Sequence, residues 1–278
     1  MRKSLVLIMV VIFISVASGC QRNISIENTY TMLPHSNWPD QHRKVALKSY
    51  LYAQMANNTY GQKGDSYSST ESDFILPSDW TVNHFGNNEL GYAYSIYQLI
   101  KNNEPKEMVI AFRGTEGLTN FKDVIYGNLL AKQNKLAIKT YLENRDRLDK
   151  SGYKHVPIIL VGHSLGGALA VHTAINVDGN VPYYVFNSSP RFNKLKGSKP
   201  DDFDKVKENR NSIVETSEFL YALRFAAKEA NQTYTPFNCD SKFKPFTSHG
   251  VEKLAKCLTM VASLNDPAAE VKMVSKFK

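Results

Sequence analysis

A serine hydroxyl becomes a nucleophile only where a base removes its proton and donors stabilise the oxyanion it creates. One serine has a sequence context built for that. Ser164 sits in Gly162-His163-Ser164-Leu165-Gly166, after the apolar run 156–161 and before the small-residue stretch Gly166-Gly167-Ala168. Strand, Gly-x-Ser-x-Gly and helix in that order make a nucleophile elbow, whose sharp turn lifts the hydroxyl clear of the sheet. Gly162 and Gly166 leave room where the two backbones approach, and Ser164 is expected in a strained conformation. The N-terminus of the following helix offers unpaired N–H groups and the positive end of a dipole where the oxyanion would form. Stripped of its neighbours, the pentapeptide would fit a plain turn as well as a nucleophile's.

The elements that must hold this serine can be read along the chain. Val45, Leu47, Tyr50, Leu51, Ala53 and Met55 mark a helix over 40–57 with Asp40 as its N-cap. Residues 61–72, rich in serine and glycine, form a loop. Strands are predicted over 80–85, 91–100 and 107–112, with Asn102-Asn103-Glu104 as a turn. The last of these strands runs into Arg113-Gly114-Thr115-Glu116-Gly117, a glycine-bent segment able to aim an N–H at a pocket. An amphipathic helix over 136–148 precedes the elbow strand. Strand-like Tyr184-Val185-Phe186, the short strand Ser212-Ile213-Val214 and a helix over 251–261 follow the elbow.

Ala111-Phe112-Arg113-Gly114-Thr115, with Gly162-His163-Ser164-Leu165-Gly166-Gly167-Ala168-Leu169-Ala170, resembles the class 3 lipase family. Tyr184-Val185-Phe186-Asn187-Ser188-Ser189-Pro190-Arg191 is similar to its bacterial relatives. The resemblance implies a single α/β domain of α/β-hydrolase fold, with a mostly parallel sheet flanked by helices. It also implies a serine esterase without cofactor, acting on a lipid ester: a phospholipid, a lysophospholipid or an acylglycerol. By the same resemblance Thr115 lends its N–H to the oxyanion hole, and Leu165, directly after the nucleophile, supplies the second donor. Asn120-Phe121-Lys122-Asp123 is similar to the family's lid region, but one residue shorter and with Phe121 in place of tryptophan.

In this fold the catalytic residues follow the order serine, acid, histidine. His35, His42, His84 and His155 precede Ser164, His163 lies inside the elbow, and His172 falls two helical turns beyond it. His249, in Thr247-Ser248-His249-Gly250, lies downstream of the predicted strands and is the candidate base. The family places its acid shortly after the strand matching Ile213-Val214, where this chain has Glu218 in the aspartate's position. Glutamate is an accepted alternative in such triads. Glu215, Asp240 and the cluster Asp201, Asp202 and Asp204 remain competing acids at this stage.

The chain opens with Arg2-Lys3, an apolar run over 5–16 and the small residues Ala17-Ser18-Gly19 before Cys20. This is the pattern of a secretory signal, and the apolar run is short for a bilayer span. Val16-Ala17-Ser18-Gly19-Cys20 resembles the bacterial lipobox, implying a signal peptide over 1–19 and lipidation of Cys20. A tether over 20–40 and a domain over 41–278 follow, giving an exported lipoprotein anchored to the outer membrane or cell surface.

The net charge of +8 is diffuse, with no arginine-rich helix or aromatic-basic stripe, which argues against nucleic acid. Beside anionic headgroups a mildly basic surface is useful. Of the three cysteines, Cys239 and Cys257 remain after Cys20 as an even pair in an exported chain. They are expected as a disulfide around His249, with two buried thiols as the alternative. No histidine or cysteine spacing suggests a metal site. A binding protein that keeps the elbow for packing, or a thioesterase or peptidase with the same triad, would share these motifs.

Overall fold

The computed structural model describes residues 38–63, 66–67, 73–87, 91–114, 128–177, 179–190, 209–218, 220–221, 224, 232–239 and 248–273. The signal, Cys20 and the tether up to residue 37 lie outside these residues, as do Thr115, the lid segment around Phe121, Asp201, Asp202, Asp204 and Asp240. Helix α1 (Asp40–Asn58) leads into a two-stranded ribbon, β1 (Gln62–Lys63) and β2 (Ser66–Tyr67). Strands β3 (Trp80–Asn87), β4 (Ala93–Lys101) and β5 (Glu104–Phe112) come next. Then follow α2 (Asn128–Lys150), β6 (Ile158–His163), α3 (Leu165–Asn176), β7 (Tyr183–Phe186), β8 (Arg210–Glu215), β9 (Thr233–Phe237) and α4 (Val251–Ala262).

Strands β3 to β9 form one seven-stranded sheet in which chain order is also spatial order. The pairs β3–β4 and β4–β5 are antiparallel, and every pair from β5 to β9 is parallel. A two-residue loop joins β4 to β5, and Asn102 and Asn103 both take positive φ, 55° and 60°, as a type I′ hairpin turn requires. Asparagine tolerates that region better than most residues.

The parallel half explains why the run before Ser164 is wholly apolar. A strand with helices on both faces must bury both sets of side chains, and all six residues of β6 are buried. Met108, Ile110, Phe112, Ile158, Leu160, Tyr183 and Val185 join α2 and α3 in one core. The alternate residues Val109, Ala111, Ile159, Val161 and Phe186 join α1 and α4 in the other. The result is three layers, helices on both sides of a mostly parallel sheet.

Several boundaries differ from the sequence reading. Pro39, not Asp40, occupies the N-cap of α1, and Asp40 lies in the first turn with its carboxylate on Arg43 at 2.6 Å. Helix α2 starts at Asn128 rather than residue 136, because its first turns carry little apolar periodicity to read. Strand β9 was not expected at all. Pro236 within Thr233-Tyr234-Thr235-Pro236-Phe237 argues against a central strand, and β9 is indeed an edge strand, where proline is tolerated.

Candidate active site

The elbow is built from backbone proximity. A Cβ added to Gly162 would lie 2.3 Å from the carbonyl carbon and oxygen of Gly166, so strand β6 and helix α3 touch main chain to main chain. A Cβ on Gly166 would lie 2.1 Å from the Phe112 carbonyl oxygen, at the end of β5. Only glycine admits both approaches. Between them Ser164 takes φ 54° and ψ −123°, a region costly for a residue with a side chain. The turn is held from outside: Ser164 N–H donates to the Phe186 carbonyl at 3.1 Å, and its own carbonyl accepts from Ser189 N–H at 2.9 Å. Leu165 opens helix α3 directly after Ser164, so its N–H has no partner within the helix.

The structure brings Ser164, His249 and Glu218 together, although they come from the β6–α3 turn, the turn before α4 and the turn after β8. His249 Nε2 lies 2.9 Å from Ser164 Oγ, and its Nδ1 lies 2.9 Å from Glu218 Oε2. A carboxylate can only accept, so Nδ1–H donates to it and Nε2 is left to take the serine proton. Ser164 and Glu218 are 3% and 2% exposed, so water competes little for these bonds.

Glu218 is engaged on both oxygens. Oε2 also accepts Leu220 N–H at 3.0 Å, and Oε1 accepts from Arg224 Nη1. Burial pushes its carboxyl up, but the hydrogen bond from His249 and the charge of Arg224 outweigh that and hold it below the ordinary value. Arg224 was not singled out from sequence. The signal was present as a lone charge inside Phe219-Leu220-Tyr221-Ala222-Leu223-Arg224-Phe225-Ala226-Ala227, a run that has no use for a cation unless it is paired.

Glu215, the nearest competing acid, is occupied elsewhere. Its carboxylate accepts Cys239 N–H at 2.7 Å, Ser217 N–H at 3.2 Å and the Ser217 hydroxyl at 3.1 Å, tying β8 to the end of β9. Burial raises its pKa. The Cys239–Cys257 disulfide is present, and its loop of 18 residues encloses His249.

His249 is also held by its backbone. Its carbonyl accepts from His163 Nε2 at 2.7 Å and from Asn187 Nδ2 at 3.0 Å. Because that carbonyl can only accept, His163 carries its proton on Nε2, and its Nδ1 accepts the Tyr60 hydroxyl at 2.7 Å. Burial, then the neighbouring His249, keep the His163 pKa well below 6.5, so it stays neutral. Sequence reading placed His163 in the elbow without this role. Tyr60 and Asn187 were missed, since nothing local marks them. His172 is buried within α3 and bonded to Asn176, away from this chain of groups.

Among the described residues no cluster of histidine, cysteine, aspartate and glutamate could hold a metal ion. What the arrangement can do is acyl transfer: a serine poised at a helix N-terminus, an imidazole on its hydroxyl, and a buried carboxylate behind the imidazole.

Solved structures similar to this chain include lipase II from Rhizopus niveus, at 15% identity over 65% of this chain and 75% of that one, with TM-score 0.45. Another is a mono- and diacylglycerol lipase from Aspergillus oryzae, at 18% identity over 64% and 73%, with TM-score 0.46. A triacylglycerol lipase from Penicillium expansum aligns at 15% identity over 69% and 77%, with TM-score 0.44. No curated protein matches the sequence. A family model, phospholipase-like, for the Tle-like phospholipase domain, matches residues 51–198, more than half of the chain. That segment contains both motifs behind the lipase resemblance and the elbow itself, and so the chain belongs to the family of Tle-like phospholipase domains.

Proposed function

We propose that this lipid-ester hydrolase cleaves a carboxylic ester of a phospholipid through an acyl-enzyme on Ser164. Ser164 Oγ attacks the ester carbonyl while His249 Nε2 takes its proton. Glu218 holds the ring in the tautomer that leaves Nε2 free and stabilises the imidazolium as it forms. The oxyanion is received by the N–H of Leu165 and, from the segment after Gly114, by that of Thr115. The imidazolium then protonates the departing alcohol, and water, deprotonated by the same imidazole, releases the fatty acid.

The observation that carries this reading is the unbroken hydrogen-bonded line from Ser164 Oγ through His249 to the buried Glu218 carboxylate, at 2.9 Å per step. A fold that kept the elbow only for packing has no need of a buried acid aligned on an imidazole. Family membership favours a phospholipid among lipid esters. We infer further that the chain is exported and anchored through lipid on Cys20, on the strength of Val16-Ala17-Ser18-Gly19-Cys20. Cys20→Ser would then leave the protein in the soluble fraction, and membrane retention of that variant would remove the anchor from the reading.

The test of the catalytic reading is fatty-acid release from phospholipid vesicles by the purified protein. Ser164→Ala is expected to abolish release while circular dichroism stays unchanged, and retained turnover would overturn the assignment.

A further inference from the structure

We propose that Arg224 is a positioning residue for the reaction: its guanidinium bridges the Glu218 carboxylate and the Ser188 carbonyl, fixing the acid relative to the nucleophile's own turn. This rests on the assignment of Ser164, His249 and Glu218 above. The bridge has two ends. Arg224 Nη1 donates to Glu218 Oε1, and Arg224 Nε donates to the Ser188 carbonyl at 2.5 Å. Ser188 immediately precedes Ser189, whose N–H donates to the Ser164 carbonyl at 2.9 Å. A contact path therefore runs from the nucleophile's carbonyl through Ser189, Ser188 and Arg224 to the acid, and closes through His249 on the serine hydroxyl. The path ties the acid to the nucleophile's turn through a hydrogen bond at each end of the arginine.

A glutamate needs this more than an aspartate would. Its extra side-chain torsion lets the carboxylate swing, and each ordered rotor has an entropy cost that some contact must offset. Arg224 occupies Oε1 and leaves Oε2 to His249 Nδ1–H and Leu220 N–H, so each oxygen has a fixed task. The planar fork is what allows one side chain to serve two acceptors, and lysine has no such geometry. Arg224 is 6% exposed and the Glu218 side chain is fully buried, so the pair is screened little by solvent.

The cation also sets the charge that His249 meets. Among the described residues, the groups facing the imidazole and its acid are Glu218, Arg224 and neutral His163, with the hydroxyl of Tyr234 beside the arginine. With Arg224 present the buried acid is already neutralised. Without it the carboxylate's only counter-ion among the described residues would be the imidazolium, which favours protonation of His249 and moves the acid limb of kcat/KM to higher pH.

The experiment compares Arg224→Met and Arg224→Lys with the full chain in kcat, KM and pH profile on a short-chain nitrophenyl ester, with thermal unfolding as a fold check. Arg224→Met is expected to lower kcat by about tenfold to hundredfold, the scale of a misplacement near 1 Å, with KM little changed and the acid limb raised. Arg224→Lys keeps the charge and reaches one acceptor, so its acid limb stays in place while kcat falls several-fold. A lowered melting temperature with unchanged kcat and acid limb would make Arg224 merely structural and overturn the proposal. If Arg224→Met does not fold, Arg224→Lys decides, and wild-type kcat in that variant overturns it. Loss of turnover in Ser164→Ala and Glu218→Gln, beside an unaffected Arg224→Met, would refute the bridge while leaving the catalytic assignment standing.

Discussion

Gly166→Ala is the substitution that best separates an elbow built for catalysis from a loop that tolerates change. The new Cβ would lie 2.1 Å from the Phe112 carbonyl oxygen and 2.7 Å from its carbon, both backbone atoms that cannot rotate away. Ordinary contact begins at 3.4 Å, so β5 and α3 must part by roughly 1.3 Å. Helix propensity alone would make alanine better than glycine by about 1 kcal/mol. Overpacking of this kind costs about 1 to 3 kcal/mol, so a net loss of stability is expected in spite of propensity. The effect on rate is larger. The separation moves Ser164 relative to His249 and the end of β5, and about 1 Å of misplacement costs about a hundredfold. Gly152→Ala is the control: φ is 83° with nothing within 4 Å of the new Cβ, so it strains a remote turn by about 1 to 2 kcal/mol. The assay is kcat/KM on a nitrophenyl ester beside thermal unfolding. Gly166→Ala should lose about a hundredfold in rate while Gly152→Ala loses stability alone. Wild-type kcat/KM in Gly166→Ala would refute the claim that this contact sets the nucleophile's geometry.

Two further outcomes follow from the same contacts. Replacing Cys239 and Cys257 by serine frees a loop of 18 residues, which by chain entropy costs about 3 kcal/mol, a fall in Tm of roughly 6 to 12 °C for a domain of this size. An unchanged Tm would show that the disulfide does not constrain the unfolded chain. His163 is held neutral well below 6.5, so unfolding takes up a proton as the pH drops. Its contribution is fully present above 6.5 and is lost below it, by up to about 1.4 kcal/mol per pH unit. His42, also lowered, acts in the same sense, while the raised Glu107 and Glu215 act in the opposite one. The clean readout is therefore the difference between wild type and His163→Gln in urea unfolding from pH 7 to 5. The variant should show the shallower loss on acidification, and parallel curves would contradict a neutral buried His163.

What could be read in the sequence was whatever local pattern dictates. The elbow was legible because Gly162 and Gly166 answer to contacts within one strand-turn-helix unit, and the doubly covered β6 showed as an unbroken apolar run. His249 and Glu218 needed the order of elements, and the sequence alone left Glu215 open. The structure separates the two acids by partners that lie far along the chain: His249 and Arg224 for one, Cys239 and Ser217 for the other. Tyr60, Asn187 and the bridging role of Arg224 were illegible for the same reason, since each acts on a residue brought close only by folding. Strand β9 escaped because Pro236 is informative about an edge only once it is known which strand is the edge.

The most direct measurement on the central claim is covalent labelling by a fluorophosphonate, followed by peptide mapping. An activated serine reacts and an ordinary one does not. The expected result is a single adduct on Ser164, formed rapidly in the wild type and abolished in His249→Ala. Failure of Ser164 to label in the folded protein, or labelling that persists unchanged without His249, would contradict it.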